Sequence, residues 1–199
     1  MAASISVNHS IATIWLIFFV YWAVEIIYET ATRRSKKIEK REPLVVALSS
    51  RLTLWIAIFL VLTTYAQAHY PLGAGFLPSS PITAYAGLGV GLCGILFAIW
   101  ARITLGSNWS GDAVLKKGQV LVKNGPYGIV RHPIYTGVTI GIVGSAVAEN
   151  TVTGLVAICF VLLFSYLRIR DEERLMKEKF GVEYEDYARK VKAFVPWIW

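Results

Sequence analysis

Apolar residues in this chain gather into five blocks, at positions 11–28, 51–68, 82–105, 134–148 and 151–167, separated by polar and charged stretches. Each block approaches the length that a hydrocarbon layer roughly 30 Å thick asks of a helix. The pattern therefore predicts an all-α, polytopic membrane protein of about five transmembrane helices. Only Glu149 and Asn150 divide the last two blocks, which predicts a helical hairpin. Residues 1–10 are polar and read as a frayed end. The first block lacks a basic flank before it and a small-residue cleavage site after it, so it reads as a membrane helix and not a cleaved signal peptide. Beyond the fifth block, Leu175, Met176, Phe180, Tyr184, Tyr187 and Val191 recur mostly at steps of three and four. That spacing predicts an amphipathic helix with a break near Gly181, and the closing Phe194, Trp197, Ile198 and Trp199 read as an interfacial anchor.

Charge adds an orientation. The net charge is +7, yet all twenty Lys and Arg residues fall on one side of the five blocks. Arg33, Arg34, Lys36, Lys37, Lys40 and Arg41 lie in the first loop, Arg51 at the near end of the second block, and eight more follow the fifth. The loops at 68–81 and 149–150 carry none. By the positive-inside rule the N-terminus is outside and the C-terminus cytoplasmic. The basic excess is then a topology signal with a second use at anionic lipid, and no nucleic-acid partner is expected. Cys93 and Cys159 read as small packing residues, and His9, His69 and His132 lack metal-ligand spacing, so no metal site is expected. Glu25, a turn from the cytoplasmic end of its block, reads as a structural carboxylate within reach of water.

One motif misleads. Gly89, Gly91 and Gly94 spell the dinucleotide fingerprint GxGxxG, but inside an apolar helical run with no βαβ unit around them. Taken as Gly87-xxx-Gly91, the stretch offers a smooth face for a neighbouring helix, and Gly137-xxx-Gly141 offers another.

The segment GPYGIVRHPIYTG, residues 125–137, carries the chemistry. Pro126 and Pro133 push Gly125 and His132 out of helical geometry, which predicts a shaped loop that gives way to helix near Ile134. At membrane depth irregular backbone is tolerated where protein covers it or where it lines a cavity, so the loop marks a candidate pocket. Arg168, Arg170, Glu172 and Glu173 stand where the fifth block leaves the bilayer, on the same side as the loop. The hairpin brings the two regions together around a space suited to a charged, water-soluble cofactor beside a lipid-facing opening.

These residues carry a resemblance. The pattern G-P-Y-x-x-x-R-H-P-x-Y-x-G, followed by a hairpin, then R-x-x-x-E-E and FGxEYxxY, resembles the isoprenylcysteine carboxyl methyltransferase family of integral membrane methyltransferases, in its compact form. LGSNWS and the G-x-x-L-V of 118–122 are similar too, and the match spans 101–195. The resemblance implies S-adenosyl-L-methionine as methyl donor, with cofactor contacts at Gln119, Val120, Leu121, Val122, Tyr127, Arg131, His132, Pro133, Ile134, Tyr135, Glu172 and Glu173. It implies that Arg168 orients the carboxylate to be methylated. Many family members carry His where Gln119 stands. The resemblance also divides the chain into helices of 1–100, forming a scaffold beside the acceptor, and a catalytic region of 101–199.

The implied reaction is methyl transfer to a lipophilic acceptor, first the carboxylate of a prenylated cysteine, with the bilayer as partner. A carboxylate is ionised at neutral pH and needs no base. A phospholipid amine or a thiol needs one, and beside the motif only His132 offers itself. A membrane reductase using NADPH, and a transporter or scaffold that binds no cofactor, are the readings from other classes. Which of Arg168 and Arg170 faces the pocket stays open.

Overall fold

The computed structural model of the chain describes residues 2–32, 38–41, 75–78, 80–109 and 114–196, with isolated helical positions between 48 and 59. Within these lie helices α1 (Ala2–Thr32), α2 (Pro81–Leu105), α3 (Pro133–Glu149), α4 (Val152–Phe180) and α5 (Val182–Lys190). Two short strands, β1 (Ile38–Arg41) and β2 (Val114–Lys116), form an antiparallel ribbon, pairing Ile38 with Lys116 and Arg41 with Val114. The chain is thus an all-α membrane protein with one small ribbon between its loops. The stretches His9–Tyr28, Pro81–Asn108 and Val152–Phe180 are long and apolar enough to cross a membrane. The second predicted block falls almost wholly outside the described residues. The fourth became α3, whose 17 residues reach about 26 Å.

The helix ends follow local chemistry. The Ser80 hydroxyl accepts from the Ile82 amide at 3.2 Å and Pro81 opens α2 at the position where its missing N–H is harmless. Thr151 caps α4 by accepting from the Gly154 amide at 3.2 Å. The predicted turn between α3 and α4 is present. Asn150 adopts a left-handed backbone with φ 50°, and its side chain binds the Phe76 amide and both backbone groups of Leu77 at 2.8–3.0 Å. The segment before α2 is thereby tied to the hairpin.

α2 and α3 meet backbone to backbone, as the glycine spacing predicted. A Cβ placed on Gly94 would lie 2.5 Å from the Gly141 amide nitrogen, and one on Gly144 would lie 2.2 Å from that of Gly91. Gly89, the first glycine of the false fingerprint, points into open space. With no lipid-excluding hydrophobic force available in a bilayer, such close approach is what lets dispersion hold the two helices. α1 crosses against this pair through Trp15, whose Nε1 donates to the Ser145 hydroxyl at 3.0 Å. The core joins Trp15 and Phe18 of α1 to Ile142 of α3 and Val161 and Phe164 of α4, and α2 runs unbroken through residues 100 and 101.

Three expectations are corrected, and one about α4 holds. The N-terminal residues belong to α1, because Val7, Ile11, Trp15 and Phe18 extend one buried stripe back past the apolar block. The expected break is present: α4 continues to Phe180, about 44 Å for 29 residues, before Gly181 with φ 51° separates it from α5. Phe194 is buried against Ile169 and Ala193 instead of anchoring at an interface, and Trp197, Ile198 and Trp199 lie outside the described residues. Cys93 and Cys159 are exposed on helix surfaces.

Candidate active site

Where α1, α4, α5 and the 119–135 segment converge, they enclose a cavity of about 640 Å³. One wall is apolar: Phe18, Phe19 and Trp22 of α1, joined by Trp55, Ile58 and Trp109. The other end is polar, with Gln119, Tyr135, Arg168, Glu172, Tyr184 and Tyr187. Every predicted site residue lines this space except Glu173. Gln119, Val120, Leu121 and Val122 lie along one edge, while Tyr127, Arg131, His132, Pro133, Ile134 and Tyr135 form the loop and first turn opposite.

The loop owes its shape to its glycine and prolines. Gly125, at φ 57°, opens a turn of 3₁₀-helix, Gly125–Gly128, and Pro133 starts α3 with His132 in a non-helical conformation before it. The C-terminal segment clamps the loop from behind. The Arg131 and His132 amides donate to the carbonyls of Lys192 and Ala193 at 2.8 and 2.9 Å, and the Thr136 hydroxyl donates to that of Phe194 at 2.8 Å. The Tyr187 hydroxyl donates to the Tyr127 carbonyl at 2.5 Å, which seats α5 over the cavity.

The charged side chains form two layers. Facing the cavity, the Tyr135 hydroxyl donates to Glu172, and Arg168 donates through Nε to Tyr135 and through Nη2 to Glu172, each at 3.4 Å. Behind them, Arg131 grips Glu173 with Nε at 2.7 Å and with Nη2, and gives Nη1 to the carbonyls of Ala188 and Val191. Tyr184 also donates to Glu173, at 3.2 Å. The question between the two arginines resolves: Arg168 is buried at 4% exposure and Arg170 is exposed. Helical periodicity could have separated the glutamates as well, since Arg168 and Glu172 share a stripe at i,i+4 while Glu173 is rotated about 100° away.

His132 joins the layers. Its Nδ1 lies 3.4 Å from Glu172 and its Nε2 3.4 Å from Glu173. Burial opposes its charged form, but hydrogen bonds that the ring donates to Glu172 and Glu173 outweigh burial and hold its pKa above the ordinary histidine value. Both ring nitrogens face acceptors, which suits an imidazolium that donates twice. Burial, reinforced by Glu172, raises the Tyr127 hydroxyl, and burial reinforced by Glu173 raises that of Tyr184. These phenols are therefore neutral hydrogen-bonding groups. Among the described residues no group of three or more His, Cys, Asp or Glu side chains could hold a metal ion.

The sequence model described as "Phospholipid methyltransferase" matches residues 82–183, half of the chain. The chain belongs to the phospholipid methyltransferase family. It is 37% identical over 111 residues to the "Nickel-cobalt-cadmium resistance protein NccN" of Alcaligenes xylosoxydans xylosoxydans, covering 55% of this chain and 49% of that protein. It is 33% identical over 118 residues to the "Probable protein-S-isoprenylcysteine O-methyltransferase" of Oryza sativa subsp. indica, covering 58% and 62%. It is 38% identical over 101 residues to the "Protein-S-isoprenylcysteine O-methyltransferase" of Saccharomyces cerevisiae, covering 49% and 42%. The chain thus spans about half the length of the curated relatives it matches, and the resemblance to the isoprenylcysteine methyltransferases is borne out. The phospholipid methyltransferase match holds α2 to α4 and the charged layers, whereas the apolar wall from α1 and Tyr187 of α5 lie outside it. Those walls, with Trp109 and Tyr184, were not predicted as site residues. The aromatic spacing of Phe18, Phe19 and Trp22 in a membrane helix was the available signal.

Proposed function

We propose that this protein transfers a methyl group from S-adenosyl-L-methionine to a lipophilic acceptor at the membrane, most directly the carboxylate of a prenylated cysteine. The observation that carries the reading is the division of one cavity into an aromatic wall and a polar end with a buried arginine. A volume of about 640 Å³ is in the usual range for small-molecule sites. The donor set fits the cofactor: Glu172 and the neutral tyrosines offer partners for ribose hydroxyls and an ammonium group, and the Gln119–Val122 edge offers backbone groups to an adenine. The reading assigns cofactor contacts to that edge and to Tyr127, His132, Pro133, Ile134, Tyr135 and Glu172. It assigns Arg131 and Glu173 the task of holding the loop behind them.

When bound, S-adenosylmethionine supplies an electrophilic methyl group on a positively charged sulfur. Arg168 holds the acceptor carboxylate through its fork of donors. The aromatic wall takes the hydrocarbon chain and excludes water, and a transfer that cancels opposite charges is fastest in a dry, preorganised site. No proton need leave the acceptor. This favours a carboxylate over a thiol or amine, because His132, engaged by two carboxylates, is a poor base. The one-sided placement of Lys and Arg supports a cytoplasmic site with the N-terminus outside.

The test is transfer of labelled methyl from S-adenosylmethionine to N-acetyl-S-farnesylcysteine, with phosphatidylethanolamine and a prenyl thiol in parallel. The reading expects a base-labile methyl ester on the first alone. Labelled lipid amine or thioether in its place would reassign the acceptor.

A further inference from the structure

A second polar cluster, buried at Arg102 and partly exposed at Glu25, lies beside the apolar wall, outside the two charged layers. Arg102, near the end of α2, is 5% exposed and pairs through Nη2 with Glu25 of α1. Its Nη1 donates to the Gly106 carbonyl at 3.1 Å. Its guanidinium carbon stands 4.3 Å above the Trp109 ring centroid. Neither Arg102 nor Glu25 lines the cavity, but Trp109 does, and its ring meets that of Trp22 edge to face with centroids 6.2 Å apart. Trp22 in turn stacks on Phe18 at 4.5 Å. The apolar wall is therefore backed by a charged group that touches it from the protein side.

This arrangement is costly as mere glue between α1 and α2. The Nε of Arg102 is buried with no hydrogen-bond partner among the described residues. Replacing a buried ion pair by apolar side chains is often neutral or stabilising, so an ion pair with an orphaned donor needs another use. The ring face supplies it. A guanidinium over a desolvated indole attracts the electron-rich face and fixes its plane. With Gly106 also held, the turn that follows α2 is fixed at both ends, and Trp109 cannot rotate away from the cavity.

We infer that Arg102, held by Glu25, is a positioning residue that sets the plane of Trp109 and so the fit of the acceptor's hydrocarbon chain, without touching acceptor or cofactor. This rests on the methyltransferase reading above.

The test compares Arg102→Gln with the exchanged pair Glu25→Arg/Arg102→Glu, which restores an ion pair but leaves no guanidinium at position 102. Each is assayed for thermal midpoint, S-adenosylhomocysteine affinity, and KM and kcat with N-acetyl-S-farnesylcysteine. The exchanged pair should recover part of the midpoint lost in Arg102→Gln, short of wild type because a carboxylate cannot donate to the Gly106 carbonyl, and keep cofactor affinity within about twofold, while its acceptor KM stays raised about tenfold. Trp109→Leu should raise KM alike, and Arg102→Lys should restore part of the loss. Recovery of wild-type KM by the exchanged pair overturns the inference, because the ion pair alone then suffices. Wild-type protein that binds S-adenosylhomocysteine yet shows no saturable use of the farnesyl acceptor overturns it too. Failure to bind S-adenosylhomocysteine at all would instead contradict the methyltransferase reading.

Discussion

Arg131, at the rim of the cavity, meets Glu173 behind it with two donors on one carboxylate oxygen, Nε at 2.7 Å and Nη2 beside it. The same guanidinium collects the carbonyls at the end of α5, so one side chain joins the motif loop, α4 and the C-terminal segment. Removing either partner leaves a largely buried charge unmatched. Arg131→Ala and Glu173→Ala should each cost on the order of 3 kcal/mol, and the double variant less than their sum. Chemical denaturation in detergent measures both the single costs and the coupling.

The His132 bridge makes stability depend on pH with a definite sign. The folded protein raises this pKa, so folding favours the protonated ring. The stabilisation is complete below the unfolded value, about 6.5, and is lost as pH rises through the higher folded value. The thermal midpoint of wild type relative to His132→Gln should therefore shrink from pH 6 towards pH 9. A gap that widens with pH would mean the ring is held neutral.

Backbone contact between α2 and α3 predicts a contrast between two glycines. Gly144→Ala drives a methyl group into the Gly91 amide and should destabilise by about 2 kcal/mol or more, whereas Gly89→Ala meets open space and should be neutral or slightly stabilising. Thermal midpoints of the two purified variants decide.

Arg168 and Arg170 should part clearly in turnover. Arg168→Ala removes the buried donor fork and should lower kcat about a hundredfold, while Arg170→Ala should leave it near wild type. Steady-state methyl transfer tests this directly.

Much of this arrangement was legible in the chain because its causes are local. Proline and glycine shaped the 125–133 loop, Asn150 turned the hairpin, and small residues at helical spacing made α2 and α3 approach. The site's polar residues came from a motif resemblance, which names positions without saying which side of a helix they take. Hence Glu172 and Glu173 were grouped, though one faces the cavity and the other Arg131. The pairing of Glu25 with Arg102 left no trace at all, since they are 77 positions apart in sequence and are brought together by tertiary packing. By contrast, the extension of α4 to Phe180 was legible, since Leu175, Met176 and Phe180 keep helical spacing and Arg, Glu and Lys favour helix.

Everything proposed for this cavity depends on its holding S-adenosylmethionine. Titrating detergent-purified protein calorimetrically with S-adenosylhomocysteine, with NADPH in parallel and Glu172→Gln as control, tests it most directly. The account predicts saturable one-site binding of S-adenosylhomocysteine, weakened about tenfold in the control, and no heat with NADPH. Folded, monodisperse protein that ignores S-adenosylhomocysteine, or takes up NADPH instead, would contradict it.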